Sequence, residues 1–131
     1  VLGGRRLRLG KLAEADVRST ATTVSCMQNI AGDGAFSCGM LAEFEGPIRQ
    51  KGAWQYRRLF WECGMIGQVL YLEAEAAGLR GTGIGCFFDD PVHEVFGIQG
   101  RTLQSLYHFT VGGALDDPRL STLPAYGEKR L

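Results

Sequence analysis

The chain has 131 residues, 45% of them hydrophobic, with 14 Lys+Arg against 14 Asp+Glu. That length makes one domain, able to bury a core without staples. The zero formal net charge excludes the strong field that would hold nucleic acid or an anionic membrane as main partner.

The chain begins with a basic run, Arg5, Arg6, Arg8 and Lys11, which reads as a solvated tail. Residues 12–31 predict a helix that ends near Asn29 or Gly32. Gly32-Asp33-Gly34 is a turn. Residues 35–44 predict a strand. Phe36, Cys38, Met40, Ala42 and Phe44 alternate onto one face, and the other face is also small or apolar, which places the strand centrally in a sheet. Gly46-Pro47 ends it. Residues 53–77 predict a long helix with Leu59, Met65, Ile66, Val69 and Leu70 as one apolar stripe. Gly64 and Gly67 each cost about 1 kcal/mol against alanine in a helix interior, so they predict close packing. Trp54, Phe60 and Trp61 suit a core or an interface, and Tyr56, Arg57 and Arg58 a solvated first turn. Gly78 is placed to stop the helix in a left-handed conformation, with Leu79 supplying the apolar contact.

Residues 82–88 predict a short strand. Asp89-Asp90-Pro91 predicts a helix start, with Asp90 as the cap and Pro91 in the first turn, running to about Phe96. Residues 103–112 predict a strand with Tyr107, Phe109 and Val111 on one face and Leu106, His108 and Thr110 on the other. The tail after Gly113, broken by Pro118 and Pro124, is expected to lie extended over a neighbour. The order is helix, strand, helix, strand, helix, strand.

Cys26, Cys38, Cys63 and Cys86 include no close pair of the kind that zinc sites and redox dithiols favour, so no metal site is expected. Cys38 and Cys86 sit in apolar runs and read as buried thiols in a reducing, cytoplasmic compartment. No run of about 18 apolar residues suggests a membrane span. His93 and His108 have no Ser, Cys or Asp partner at a telling spacing, so a nucleophilic triad is not supported. Asp89 and Asp90 are better read as a helix start than as paired catalytic carboxylates. Gln28 and Asn29 are within reach of a ligand but have no assigned role.

Glycine, at 19 residues, has roughly twice its average share, and it concentrates in Arg80-Gly81-Thr82-Gly83-Ile84-Gly85-Cys86. This segment misses the GxGxxG spacing, and it follows a helix and leads into a strand, the reverse of the dinucleotide fingerprint. From the residues alone it is a strand whose glycines allow tight packing.

In combination, several features resemble the flavin-dependent nitroreductase family, in particular its SagB/ThcOx-type branch. They are the helix ending Ala76-Ala77-Gly78-Leu79, the glycine-rich strand, Phe87-Phe88-Asp89-Asp90-Pro91, Tyr107-His108-Phe109-Thr110-Val111-Gly112 and Pro118-Arg119-Leu120. The resemblance spans roughly residues 13–126. It implies an α+β fold: a nitroreductase-like mixed sheet with a long central helix, lacking the family's N-terminal phosphate-clamping segment. It further implies a homodimer with FMN at the interface, NADH or NADPH as electron donor, and a small-molecule substrate. Gly83, Ile84, Gly85 and Cys86 would pass the flavin edge, with a backbone N–H of Gly85 or Cys86 meeting N5. Arg119 would hold the phosphate, the alternative being an ion pair with Asp116 or Asp117. Two readings stay open beside the enzyme: a binding or assembly domain without turnover, and a partial domain completed elsewhere in a longer chain.

Overall fold

A computed structural model describes residues 9–121, 123 and 126. Arg5, Arg6 and Arg8 of the basic run, and Pro124 of the tail, lie outside them. The elements are α1 (Arg18–Val24), α2 (Ile30–Asp33), β1 (Phe36–Glu43), α3 (Glu45–Lys51), α4 (Gln55–Ala76), β2 (Arg80–Ile84), α5 (Asp89–Phe96) and β3 (Leu103–Gly112). The three strands form one antiparallel sheet in the order β1-β3-β2. The expected α+β fold is therefore the observed one. Helix α4 covers one face of the sheet, and α1, α2 and α5 lie on the other.

The strand predicted to be central, β1, is an edge strand, and the centre belongs to β3. Ser37 and Leu41, on the far face of β1, are exposed, whereas β3 is buried along most of its length. Phe109 at its middle has 0% exposure. Antiparallel partners share a face, so Cys38 opposite Phe109, and Met40 opposite Tyr107, point with those rings toward α4. The register slips between Met40 and Leu41, which faces Ser105. Leu106 is thus an extra residue, a β-bulge. The bulge turns Leu106 onto the α4 face against Leu59 and Cys63, correcting its expected place beside His108 and Thr110.

Helix α4 meets the sheet through Leu59, Cys63, Gly67, Leu70 and Ala74, spaced by three and four residues. This is not the whole predicted stripe: Met65, Ile66 and Val69 are exposed. The helix is apolar on two faces, and only one packs within this chain. Gly67 explains its own presence, because a Cβ there would stand 2.8 Å from Tyr107 Cε1. The helix ends as expected. Gly78 takes φ +72°, its N–H donates to Glu75 at 3.0 Å, and the Leu79 N–H reaches back to the Ala74 carbonyl at 2.8 Å. Leu79 then packs beside Ala74, completing a Schellman stop.

Two local readings change. The helix expected over 12–31 is two short helices, broken where Cys26 and Met27 take φ of 55° and 60°. Residues 45–51, read only as a strand end at Gly46-Pro47, form α3. Pro47 falls in its first turn, where the backbone N–H has no helical partner to lose.

Gly67→Ala should lower the unfolding free energy by about 1–3 kcal/mol by overpacking the Tyr107 ring, against alanine's better helix propensity. Urea unfolding checks this; equal or greater stability would show that the ring does not press on the helix.

Candidate functional site

The glycine segment is built by its neighbours. Gly81 and Gly83 face α4, opposite Val111 and Phe109. A Cβ on Gly81 would come within 2.8 Å of the Phe109 ring, and one on Gly83 would overlap the Tyr107 hydroxyl. These two glycines are cleared space for aromatic rings. Ile84, opposite His108, buries its side chain on the other face. Gly85 differs: nothing lies within 4 Å of its would-be Cβ, and the residue is exposed. The predicted strand 82–88 is accordingly shifted, running Arg80–Ile84 and leaving 85–88 as an open connection into α5.

Hydrogen bonding gives this edge a direction. The Gly83 N–H donates to the Tyr71 hydroxyl at 2.7 Å, so it points away from β3 along the sheet's outer edge. Gly85 follows the last paired residue of this edge, Ile84. The Cys86 sulfur is joined to Cys26 in a disulfide with the Cα atoms 5.9 Å apart. The reading of Cys86 as a buried free thiol is therefore corrected. It is exposed and bonded, because the turn after α1 folds back against residues 86–88. The Gln28 side-chain amide donates to the Cys86 carbonyl at 3.1 Å, and the Phe88 N–H donates to the Val24 carbonyl at 2.8 Å. Cys38 and Cys63 are free, and burial pushes both thiols up, keeping them protonated and poorly reactive.

Arg119 lies at the far end. Gly112, where the tail leaves the sheet, pairs with Arg80, and Gly85 is five residue steps along β2, about 17 Å away. Arg119 binds Asp117 through three side-chain hydrogen bonds of 2.9, 3.1 and 2.6 Å and is 86% exposed. That pair holds the Asp117 carboxyl below its ordinary value through hydrogen bonding to the arginine. A cleft of about 600 Å³ lies beside it, lined by Arg80, Thr82, Asp33, Asp116 and Asp117 among others. The structure thus does not bring Arg119 together with the Gly83–Cys86 segment.

The opposite face of the sheet carries a polar cluster whose members the sequence scatters. Ser105 Oγ lies 2.9 Å from His108 Nε2, and the Ser105 N–H points at His93 Nε2 at 3.4 Å. His108 stacks on Phe87 with ring centroids 4.2 Å apart. Gln104 donates to Asp89 at 2.6 Å. Asp90 does not cap α5; Phe88 holds that position, and both aspartates lie in the first turn, where the helix dipole favours them. Ser105 and His108 are buried, at 2% and 4% exposure, and His108 lines a cavity of about 210 Å³ with Ser25, Ser37 and Cys38. The Ser105 N–H on His93 and the Gln104 amide on Asp89 tie α5 to the sheet, next to the 85–88 connection. No local pattern of residues announces the bulge that brings Ser105 and His108 onto one face.

Among the described residues, no helix is long and apolar enough to cross a membrane. The sequence profile of the nitroreductase family matches residues 11–113. The chain belongs to the nitroreductase family. Its fold superposes on that of a protein from Anabaena variabilis described as a nitroreductase, with a TM-score of 0.70 and 31% identity over 76% of this chain and 20% of that one. B. megaterium NfrA1 shares the fold at a TM-score of 0.64 and 18% identity, over 86% of this chain and 53% of that one. This nitroreductase-family chain thus spans a fifth and about half of the two solved chains. No curated protein matches it.

In this nitroreductase-family domain, burial pushes the His108 imidazole below its ordinary value, with Asp89 opposing weakly. Its folded value is depressed, so on acidification the unfolded chain binds the proton first. The stability His108 contributes is whole above about pH 6.5 and is lost as pH falls toward the folded value. Unfolding free energies between pH 7.5 and 5 should fall more steeply in the wild type than in His108→Phe. Equal slopes would show that His108 titrates as it does in the unfolded chain.

Proposed function

We propose that this chain forms part of an FMN-dependent oxidoreductase that moves hydride between a nicotinamide cofactor, NADH or NADPH, and a small organic acceptor. One observation carries the reading. Packing accounts for Gly81 and Gly83, which clear space for Phe109 and Tyr107, but it does not account for Gly85. An exposed glycine with open space beside it, at the end of an edge strand, fits a flat ring lying against backbone.

FMN, when bound, supplies two-electron chemistry at its isoalloxazine N5. The chain's own groups bind and orient it. The N–H of Gly85 or Cys86 would be the donor toward N5. The Gly83 N–H is already taken by Tyr71, and the Ile84 side chain is turned into the core, so these two residues shape the edge through their backbone. Arg119 would hold the phosphate by exchanging Asp117 for it, and its place at the far end of β2 weighs against that role. The existing pair is solvent-exposed and so weak, whereas guanidinium and phosphate match in geometry. The present pairing of Arg119 with Asp117 favours the second reading, an assembly domain without flavin turnover. The helix end at Ala76–Leu79 and the glycine segment that follows support placing the chain in the SagB/ThcOx-type branch, where the flavin oxidises azolines in peptides. In the cytoplasm we propose as its location, the Cys26–Cys86 disulfide would be a transient rather than a permanent bond.

The same reading includes a homodimer. Trp61, Met65, Val69 and Leu72 recur along the outer face of α4, exposed at 62, 63, 56 and 60%. Gly64, on the same helix, meets nothing within 4 Å, so its helix cost has no return inside one chain. A contiguous apolar face of this kind marks an interface. Sedimentation at micromolar concentration should show twice the chain mass, and Trp61→Glu should show a single chain. A wild-type monomer would remove the dimer.

Two substitutions separate ligand contact from packing. Gly85→Val should weaken FMN binding at least tenfold and leave the ligand-free thermal midpoint nearly unchanged, whereas Gly83→Val should lower the midpoint with or without FMN. If Gly85→Val behaves like Gly83→Val, the segment is packing and the flavin reading fails. At the other end, Arg119→Ala should weaken FMN about tenfold and hardly affect riboflavin, which has no phosphate. Equal effects on both ligands would remove Arg119 from the site.

A further inference from the structure

Three ties join the turn after α1 to the connection before α5: the Cys26–Cys86 disulfide, the Gln28 amide on the Cys86 carbonyl and the Phe88 N–H on the Val24 carbonyl. Only the first is covalent, and it has features of a bond made to be broken. Cys86 is exposed and Cys26 half-buried, so a reductant reaches the Cys86 sulfur from solvent. Cys26 and Met27 are consecutive non-glycine residues at positive φ, a conformation that persists only where the surroundings impose it. Within the turn itself, Gln28 donates its N–H to the Ser25 carbonyl at 3.1 Å and its side-chain amide to the same oxygen at 2.8 Å. Nothing else in the turn holds the two left-handed residues. Strained, exposed disulfides are the labile and regulatory ones. Cys38, half-buried, and Cys63, buried, are free, so Cys26 and Cys86 have each other as bonded partners.

We infer that Cys26 and Cys86 are a reversible dithiol–disulfide pair, a redox modification site that latches the 25–29 turn onto the end of the glycine segment. In reduction, a thiolate of a small dithiol attacks the Cys86 sulfur. The S–S bond breaks, Cys26 leaves as thiolate and takes a proton, and the reductant's second thiol resolves the mixed disulfide. Two electrons and two protons pass to the protein, which holds two thiols, and the dithiol ends as its own disulfide. Oxidised glutathione runs the exchange backwards and is released as two thiols. In the reduced state Cys26 and Met27 are free to leave the left-handed region, and the backbone at Gly85–Phe88 loses its covalent anchor. The inference stands on thiol chemistry and does not need the flavin. Its consequence for the flavin edge rests on the function proposed above, since Cys86 follows Gly85.

The test is a glutathione redox series on the purified protein, quenched and alkylated under denaturing conditions. The expected result is a passage from two alkylated cysteines, Cys38 and Cys63, to four, with peptide mapping placing the linkage at Cys26 and Cys86. Four thiols throughout, a linkage through Cys38 or Cys63, or a bond that survives excess dithiothreitol in the native protein would overturn it. Amide hydrogen exchange then reads the latch. Residues 25–29 and 85–88 should exchange at least tenfold faster in the reduced protein, and Cys26→Ser should match the reduced protein even under oxidising conditions. Equal exchange in both states would show that the bond latches nothing. FMN titration of the two states separates the claims. Absence of binding in both would sink the flavin reading while the thiol count and exchange rates still decide the latch.

Discussion

The fold depends on finding room for two rings. Tyr107 and Phe109 project from the central strand toward α4, and Phe109 is wholly enclosed. The rings stand edge to face, 6.5 Å apart, and Tyr71 packs on Phe109 at 4.8 Å. Rings of that size between a helix and a sheet require neighbours without side chains, and Gly67, Gly81 and Gly83 provide them. Each would collide with a ring if it carried a Cβ. Interiors packed to crystal-like density do not absorb such collisions. The spacing of helix from sheet, and so the position of β2's outer edge, follows from these three residues. The Tyr71 hydroxyl then fixes that edge by accepting the Gly83 N–H. Gly85, one step past the last paired residue, inherits a defined position without a packing reason of its own.

Much of this was legible in the residues, and the rest was not for identifiable reasons. The alternation of Tyr107, Phe109 and Val111 located β3 at its observed bounds, and Gly78 with Leu79 located the end of α4. Those signals are local. The bulge at Leu106 leaves no trace in composition, so Leu106 was assigned to the wrong face. The break at Cys26–Met27 falls where the chain is bonded to Cys86, 60 residues away, and no local propensity announces a left-handed pair without glycine or asparagine. Helix α4 is apolar on two sides. Periodicity alone merged residues of the buried stripe, Leu59 and Leu70, with residues of the exposed one, Met65, Ile66 and Val69. A strand apolar on both faces, β1, read as central although it lies at the edge. Of the candidate site, the glycine segment was legible as a segment, but which of its glycines has a packing duty required the positions of Tyr107 and Phe109.

The two faces of the sheet have different tasks. The α4 face holds the aromatic core. The other face is tied by polar contacts: Thr110 Oγ1 lies 3.2 Å from the Ile30 carbonyl and 3.0 Å from that of Phe36, and the Ser105 N–H links β3 to His93 of α5. Buried polar groups that find partners specify an arrangement, because leaving any one unpaired is costly. Together with the disulfide, these contacts hold α1, α2 and α5 around the connection at 85–88. The open glycine is thus anchored from both faces while its own surroundings stay clear, the arrangement expected of a site on rigid supports.

The central claim is that this clear edge receives a flavin. Titration of the purified protein with FMN, followed by visible absorption and flavin fluorescence, tests it most directly. The expected result is saturable binding with a perturbed flavin spectrum. A colourless protein that leaves the spectrum and fluorescence of added FMN unchanged, in both the disulfide and the dithiol form, would contradict it.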